Sequence, residues 1–376
     1  MGSSSKDLKL ITLASIDGFG ILVDEHLRKI RNQKESFIVP IEETRFNNGE
    51  GKIRIISSIR DKDVYILSDI GNYSITYPMY DFINHKSPDD HFQDMKRVIY
   101  AIREHSKSNS IITPLLYQSR QHRRRSRESL DCAVALQDFI NLGVKNIITF
   151  DVHDLDIQNA IPKSSFESFY PTREIIETFI QKENIDLHNM FVIAPDSGAV
   201  SRANLYANLF KCNMGFFRKE RDLSKLVDGK NPITQHHYVG GDFKGKNILI
   251  VDDMIASGGS MLDVVKHSKA LGANKIYLIA TFALFTKGID IFNEAYEKGL
   301  FDKIYTTNLT YIPNNYKQNL WLEEVDCSLK VAQAIDTLNR GNSLNKLIND
   351  TDKIDIFNSN TIKELKINNK TKVKSV

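Results

Sequence analysis

The sequence predicts an α/β protein with two domains, each a mostly parallel sheet flanked by helices. Three observations predict this class. Short apolar runs alternate with stretches of helical periodicity, the alternation restarts after a break at 162–171, and 376 residues are enough for two ordinary cores. We therefore expect one domain over 1–165, a second over 166–345, and a flexible Lys- and Asn-rich tail over 346–376.

The first domain opens on the apolar stretch LKLITLASIDGFGILV, which Asp17 interrupts and which predicts a core strand followed by a turn. Three further buried strands are predicted at 63–70, 110–117 and 145–153. Between the first two of these strands, one helical face collects the apolar side chains of Phe92, Met95, Val98, Ile99 and Ile102. The next helix is expected to open near Ser126 and to close at Gly143.

The second domain repeats this pattern. Its strands are predicted at 190–197, 214–220, 247–253 and 275–284, and its helices near 198–210, 260–272 and 328–339. Because strand, helix and strand joined by short links form parallel pairs, we expect the sheets of both domains to be parallel.

The composition is that of a globular protein without an extended charged surface. Hydrophobic residues make up 41%, charged residues 26%, and the formal net charge is +3, which argues against nucleic acid or a membrane as a partner. The three cysteines are scattered, which favours a reducing compartment over a disulfide framework or a zinc site. Since no apolar run reaches the length of a membrane span, we expect a cytoplasmic protein.

The stretch NILIVDDMIASGGSMLDVV, residues 247–265, joins a predicted strand to a predicted helix through two carboxylates and a glycine turn. Backbone N–H groups of such a turn at a helix N-terminus bind an anion such as phosphate. The acids suit a sugar, because vicinal hydroxyls donate to carboxylates and Mg²⁺ can bridge both. The loop has neither the lysine of a Walker A loop nor the glycine spacing of a dinucleotide fingerprint. We therefore expect a phosphorylated sugar to bind at Asp252, Asp253, Ser257, Gly258, Gly259 and Ser260.

Six stretches, in order along the chain, resemble one known family. The loop above resembles the phosphoribosyl-binding loop of the type I phosphoribosyltransferase fold, and five others are similar to motifs of the ribose-phosphate pyrophosphokinases (PRPP synthetases). These five are RFNNGE, TPLLYQSRQHRRRSRES, ITFDVHDLDIQ, IAPDSGAVSRA and FFRKERD. The resemblance implies two phosphoribosyltransferase-like domains. It also implies transfer of the diphosphoryl group of MgATP to the 1-hydroxyl of ribose 5-phosphate, giving PRPP and AMP.

Five arginines lie within eight residues, from Arg120 to Arg127, just after a predicted strand. This is the end of a parallel strand where ligands bind, and such a density of guanidinium groups can neutralise a triphosphate. A solvated basic loop or an RNA-binding segment would have the same composition, although no aromatic stacking platform accompanies it. The resemblance implies that Arg120, Gln121 and Arg127 bind ATP.

Phe46, Asn48 and Glu50 combine an aromatic ring with two polar side chains, a combination that is common in turns and carries little signal by itself. The resemblance implies that these residues receive the adenine of ATP across a subunit interface. It therefore also implies a homo-oligomer of dimers, up to a hexamer.

Four residues are candidates for metal binding and catalysis. His153 and Asp196 each end a predicted strand, and the resemblance implies that they converge on Mg²⁺ and the nucleotide phosphates. Lys219 and Arg221 alternate on one strand face, and the resemblance implies that they stabilise the transferred group in the transition state. The polar stretch that follows Arg221 is expected to close as a lid.

The match to the family is imperfect, and two other functions use the same fold. Ala256 and Ala199 replace an aspartate and a glycine of the family motifs, Asp154 replaces a small residue, and the segment 71–90 is longer. A phosphoribosyltransferase that consumes PRPP would use the same sugar-phosphate loop but would not need the duplicated domain. A catalytically silent regulatory homologue would keep the fold but lose catalytic residues, which this sequence retains at the positions named above.

Overall fold

The computed structural model of the protein describes residues 7–124, 126–221, 233–353 and 355–357; the side chains of 219–221, 233–236 and 352–353 lie outside the description. The chain forms two compact units. Unit 1 comprises Met1–Pro171, Asn308–Ile312 and Asp326–Asp350, and unit 2 comprises Thr172–Thr307, Pro313–Val325 and Thr351–Val376.

Unit 1 is built on a five-stranded parallel sheet and two antiparallel hairpins. Its strands are β1 (Leu8–Thr12), β2 (Ile41–Arg45), β3 (Gly51–Ile55), β4 (Asp63–Leu67), β5 (Thr76–Met79), β6 (Phe82–His85), β7 (Ser108–Ile112), β8 (Asn146–Phe150) and β9 (Ser165–Phe169). The sheet has the order β1-β4-β7-β8-β9, with every neighbouring pair parallel. The hairpins pair β2 with β3 and β5 with β6. Helices α1 (Asp17–Arg31), α2 (Pro88–Ile102) and α3 (Asp131–Asn141) connect these strands.

Two local predictions for unit 1 need correction. Asp17 begins α1, a helix of 15 residues, where the sequence suggested only a turn after the strand, and its carboxylate favours a helix N-terminus. The helix predicted to open at Ser126 begins at Asp131, because the Ser126 hydroxyl contacts Glu128 and no side chain caps the helix. The two hairpins were not predicted. By contrast, α2 opens with a capping box at Ser87 and buries four residues of the predicted apolar face, Met95, Val98, Ile99 and Ile102, while Phe92 is half-buried.

Unit 2 is built on a seven-stranded sheet. Its strands are β10 (Met190–Ala194), β11 (Met214–Arg221), β12 (Ile233–Gly240), β13 (Asn247–Ile255), β14 (Ile276–Ala283), β15 (Lys303–Thr307) and β16 (Leu322–Val325), and its helices are α4 (Thr172–Lys182), α5 (Val200–Leu209), α6 (Gly259–Ala270) and α7 (Asp290–Glu297). The sheet has the order β12-β11-β10-β13-β14-β15-β16, and every neighbouring pair except β11 with β12 is parallel. The predicted class, α/β with parallel sheets in both halves, is therefore confirmed.

The chain returns to unit 1 near its end through α8 (Ser328–Asn339) and α9 (Asn345–Ile348). α8 packs against α1, where the buried Arg31 side chain donates to Asp336 at 2.6 Å and to Asn339 at 2.8 Å. The sequence-based boundaries grouped this segment with the second domain. Within the described residues, no helix has the length and apolar character needed to cross a membrane.

Candidate functional site

The loop after β13 turns sharply into α6 at Gly258. Gly258 adopts a left-handed φ of +84°, and a Cβ atom at this position would press into the ring of Phe292. Ser257 is half-buried, whereas Gly259 and Ser260 are exposed, so the first turn of α6 is accessible. The first N–H groups of a helix have no intrahelical partner and favour an anion, which fits the predicted phosphate position.

Two adjacent carboxylates precede this turn inside the sheet. β13 contains both Asp252 and Asp253, as predicted, and continues two residues beyond its predicted end at Asp253. Asp253 is buried, and its backbone N–H donates to the Asp252 carboxylate at 2.9 Å. Burial, and then the charge of Asp253, raise the pKa of Asp252 well above its ordinary value.

The neighbouring strand adds a third carboxylate and a guanidinium. β10 pairs in parallel with β13, and Asp196 follows β10 at the same edge of the sheet, where its carboxylate accepts from the Gly198 N–H at 2.9 Å. The charge of Asp196 raises the pKa of Asp252 further, whereas Arg202, in the first turn of α5, lowers it. Sequence reasoning did not single out Arg202, although its position six residues after Asp196 in one motif was the available signal. Three carboxylates around one guanidinium favour a cation or hydroxyl donors here.

The arginine loop follows the carboxyl end of β7 in unit 1. Residues 113–116 are buried, and the chain then turns at Gln118, which has a positive φ of +53° and accepts from the Gln121 N–H at 2.8 Å. The predicted ATP ligands Arg120, Gln121 and Arg127 are all exposed. The loop therefore presents them to solvent at the end of the sheet where ligands of parallel folds bind.

Asp154, which follows the end of β8, binds two side chains of this loop. Its carboxylate lies 3.1 Å from Nε2 of His122 and pairs with the Arg123 guanidinium. Partial burial raises its pKa, but the Asp156 N–H and the charges of Arg123 and His122 outweigh this effect and lower it. The rings of His122 and His153 lie 5.5 Å apart, so unit 1 brings the arginine loop and the predicted metal ligand His153 together.

The predicted adenine residues lie in the turn between β2 and β3. Phe46 is 48% exposed, and its N–H donates to Glu50 O at 2.8 Å, which closes the turn. Asn48 Nδ2 donates to the Glu50 carboxylate at 2.9 Å. The turn therefore displays one aromatic ring and two polar side chains on the surface of unit 1.

The remaining predicted residues are divided between the units. His153 belongs to unit 1 and Asp196 to unit 2. The backbone of Lys219 lies in β11 opposite His236, and a register shift follows between Glu220 and Arg221. The side chains of Lys219 and Arg221, the proposed lid at 222–232 and the arginine at position 125 lie outside the described residues.

Comparison with known proteins places two family patterns on this chain. The pattern for the N-terminal domain of ribose phosphate pyrophosphokinase matches residues 17–143, and the pattern for the phosphoribosyl transferase domain matches residues 168–310. Together they span most of both units.

Proteins called ribose-phosphate pyrophosphokinase are similar to the chain over most of their length. The one from Thermoplasma acidophilum is 29% identical over 260 residues, 69% of this chain and 80% of its own. The one from Mycoplasma genitalium is 28% identical over 268 residues, covering 70% and 73%. Ribose-phosphate pyrophosphokinase A from Dictyostelium discoideum is 24% identical over 311 residues, covering 82% and 89%. Among solved structures, phosphoribosylpyrophosphate synthetase from Mycobacterium smegmatis shares the fold, with a TM-score of 0.71 and 20% identity over 88% of this chain and 98% of that one.

Proposed function

This chain belongs to the ribose-phosphate pyrophosphokinase family, and we propose that it transfers the diphosphoryl group of ATP to the 1-hydroxyl of ribose 5-phosphate. The products are PRPP, a precursor for nucleotide biosynthesis, and AMP. The observation that carries this proposal is the pair of adjacent carboxylates, half-buried Asp252 and buried Asp253, near the end of the strand that leads through a left-handed glycine turn into a helix. One loop thus offers acceptors for a diol and donors for a phosphate.

Ribose 5-phosphate binds at both ends of this loop in our proposal. Asp252 and Asp253 accept hydrogen bonds from the ribose hydroxyls. The 5-phosphate binds the amides and hydroxyls of Ser257 and Gly258, which precede α6, and of Gly259 and Ser260 in its accessible first turn. Ala256 lacks the acceptor that the family has at this position, so the loop makes one sugar contact fewer.

ATP binds through the exposed groups of unit 1. Arg120, Gln121 and Arg127 bind the phosphates, for which guanidinium groups offer paired donors. In the turn between β2 and β3, Phe46 stacks on the adenine, while Asn48 and Glu50 hydrogen bond to its edge. By the resemblance this turn serves a neighbouring copy, so we propose a cytoplasmic homo-oligomer of dimers, up to a hexamer.

Mg²⁺ fits the donor set of the chain. Burial, and then repulsion from Asp253 and Asp196, raise the pKa of Asp252, and a divalent cation would relieve the repulsion. By the resemblance, His153 and Asp196 bind Mg²⁺ at the nucleotide phosphates, and we propose that Asp252 and Asp253 can bind a second Mg²⁺ at the ribose hydroxyls. When bound, the ion neutralises phosphate charge and draws electrons from the phosphorus under attack.

The chemistry we propose is an in-line displacement. The 1-hydroxyl oxygen of the ribose forms a bond to the β-phosphorus, the bond from that phosphorus to the α,β-bridging oxygen breaks, AMP leaves, and the hydroxyl proton passes to solvent. Holding the two substrates in this geometry accounts for much of the rate, and a loose transition state needs no strong base. Lys219 and Arg221 contribute positive charge to the transferred group.

A product assay with the purified full chain tests this function. In the presence of ribose 5-phosphate, ATP and MgCl₂, we expect AMP and PRPP to appear in a one-to-one ratio. Release of pyrophosphate from PRPP and a nucleobase, without AMP formation from ATP, would instead identify a phosphoribosyltransferase. If neither AMP nor PRPP forms and Lys219→Ala binds ATP as tightly as the wild type, the chain is a silent homologue.

A further inference from the structure

Arg45 connects the turn between β2 and β3 to helix α2. Its side chain is only 9% exposed. The guanidinium donates to Gly49 O, inside the turn, at 3.1 Å and pairs with Asp90 at 3.1 Å and with Asp94 at 3.0 Å. One planar group with fixed donors therefore binds a carbonyl of the turn and two carboxylates of α2 at the same time.

Asp94 is a buried and charged anchor for this contact. Its side chain is 4% exposed and lies 2.9 Å from Lys86 Nζ and 2.6 Å from Arg97 Nη1. Burial acts to raise its pKa, but Lys86, Arg45 and Arg97 outweigh burial and lower it. Asp94 is therefore ionised at neutral pH, and replacing Arg45 leaves it with two cationic partners.

The second hairpin, β5–β6, supports the same turn. The Arg45 guanidinium lies 5.0 Å from the centre of the Tyr77 ring, a cation–π contact. The Tyr80 N–H donates to Asn47 O at 2.7 Å. Gly49 has a φ of +89°, and a Cβ there would meet Met79 Sδ at 2.9 Å. This hairpin lies in the segment 71–90, which by the resemblance is longer than its family counterpart.

The turn held by Arg45 exposes the side chains that we propose to contact the adenine. Phe46, Asn48 and Glu50 are exposed, whereas Arg45, the residue directly before them, is buried among charges. The partner strand carries a contrasting pair, since Arg54 is 63% exposed and binds the exposed Glu42 at 2.6 Å. One hairpin thus holds an arginine that fixes the turn and an arginine that binds only the adjacent strand.

We propose that Arg45 is a positioning residue for nucleotide binding, because it fixes the Phe46–Glu50 turn on Asp94 and Asp90 in the conformation that receives the adenine. This inference rests on the proposed function of the turn. It assigns the β5–β6 hairpin a supporting role in nucleotide binding through Tyr77 and Tyr80.

Steady-state kinetics of Arg45→Ala and Arg54→Ala, with both substrates varied, test this role. For Arg45→Ala we expect the KM for ATP to rise about tenfold and the KM for ribose 5-phosphate to stay within about twofold, because only the adenine contacts lose their fixed geometry. Arg54→Ala should keep both KM values. Arg45→Lys keeps the charge without the forked donors, so its KM for ATP should lie between those of the wild type and Arg45→Ala.

Several outcomes contradict the proposal. A loss of kcat with an unchanged KM for ATP, or equal rises of both KM values, would mean that Arg45 only supports the fold. If Arg45→Ala does not fold, the same comparison of the two KM values is made with Arg45→Lys. Calorimetric titration with ATP separates this inference from the proposed function. A wild type that makes no PRPP contradicts the function, whereas equal ATP affinity in wild type and Arg45→Ala contradicts the role of Arg45.

Discussion

Gly258, with a φ of +84°, lies against the outer edge of the Phe292 ring, where β13 passes into α6. Both the backbone conformation and the ring exclude a side chain at this position. Gly258→Ala should therefore lower the free energy of unfolding by about 3 kcal/mol, from left-handed strain and overpacking together. Urea unfolding monitored by circular dichroism measures this difference.

Gly259 is the matched control for this substitution. A Cβ atom at Gly259 would meet no heavy atom within 4 Å, and its φ lies outside the left-handed range. Gly259→Ala should change the free energy of unfolding by no more than about 0.5 kcal/mol. Equal effects of the two alanines would contradict the geometry of the turn.

Asp252→Asn should make the ligand-free protein more stable and much less active. The pKa of Asp252 is raised by burial and by Asp253, so its ionised form costs stability at neutral pH, and the neutral amide removes this cost. We expect a gain of at least about 1 kcal/mol in unfolding free energy. The kcat should fall about a hundredfold, because the ribose hydroxyls lose a charged acceptor.

Asp263→Asn makes the same change on the exposed face of α6, where the carboxylate lies 3.7 Å from Lys266. This control should alter neither stability nor kcat. If Asp252→Asn is less stable than the wild type, Asp252 is needed for folding. That result would contradict the claim that ionised Asp252 lowers the stability of the ligand-free protein.

Asp69 predicts a pH dependence of stability in unit 1. Its buried carboxylate accepts from Gly71 N at 2.8 Å, Tyr311 N at 2.7 Å and the Thr310 hydroxyl at 3.1 Å. Burial raises its pKa from 3.8 to about 6, against the effect of these hydrogen bonds. Between about pH 4 and pH 6 the folded state thus holds a proton that the unfolded state releases, so stability falls as the pH rises through this window.

The Asp69→Asn variant, which cannot titrate, isolates this contribution. The difference in unfolding free energy between wild type and variant should shift by about 3 kcal/mol in favour of the variant from pH 4 to pH 7. Chemical unfolding of both proteins across this range provides the measurement. A difference that does not depend on pH would show that Asp69 has the same pKa in both states.

Arg120 and Arg123 should contribute unequally to ATP binding, although they lie three residues apart in one exposed loop. The Arg123 guanidinium already binds Asp154, so its charge is partly compensated. We expect Arg120→Ala to raise the KM for ATP about tenfold and Arg123→Ala about twofold or less. Initial rates at varied ATP concentration measure both, and the opposite order would contradict the assignment of Arg120.

The buried strands of both sheets could be predicted from the sequence, because a parallel strand covered on both faces is a continuous apolar run, as in β4, β8 and β13. The hairpins could not. β2 and β3 alternate between half-buried and exposed positions, and β5 contains Pro78, a residue that argues against a strand. These short amphipathic strands form because they pair with a neighbouring strand, and no local sequence pattern indicates that pairing.

The residues of the candidate site also include some that the sequence could predict and some that it could not. Asp252 and Gly258 could be proposed as site residues from the sequence, because they belong to one contiguous motif. Arg45 and Asp94 could not, since their contact joins residues 49 positions apart and depends on the packing of a hairpin on a helix. Their roles appear only once the chain is folded.

The return of α8 to unit 1 has a consequence for synthesis of the chain. The buried guanidinium of Arg31 binds Asp336 and Asn339, which lie about three hundred residues later. While the ribosome is making unit 2, the face of α1 that receives α8 is open to water, and Arg31 has no carboxylate from α8 to bind. Unit 1 is therefore begun before unit 2 but is completed only after most of unit 2 has been made, so its final stability depends on a loop closure that spans most of the chain.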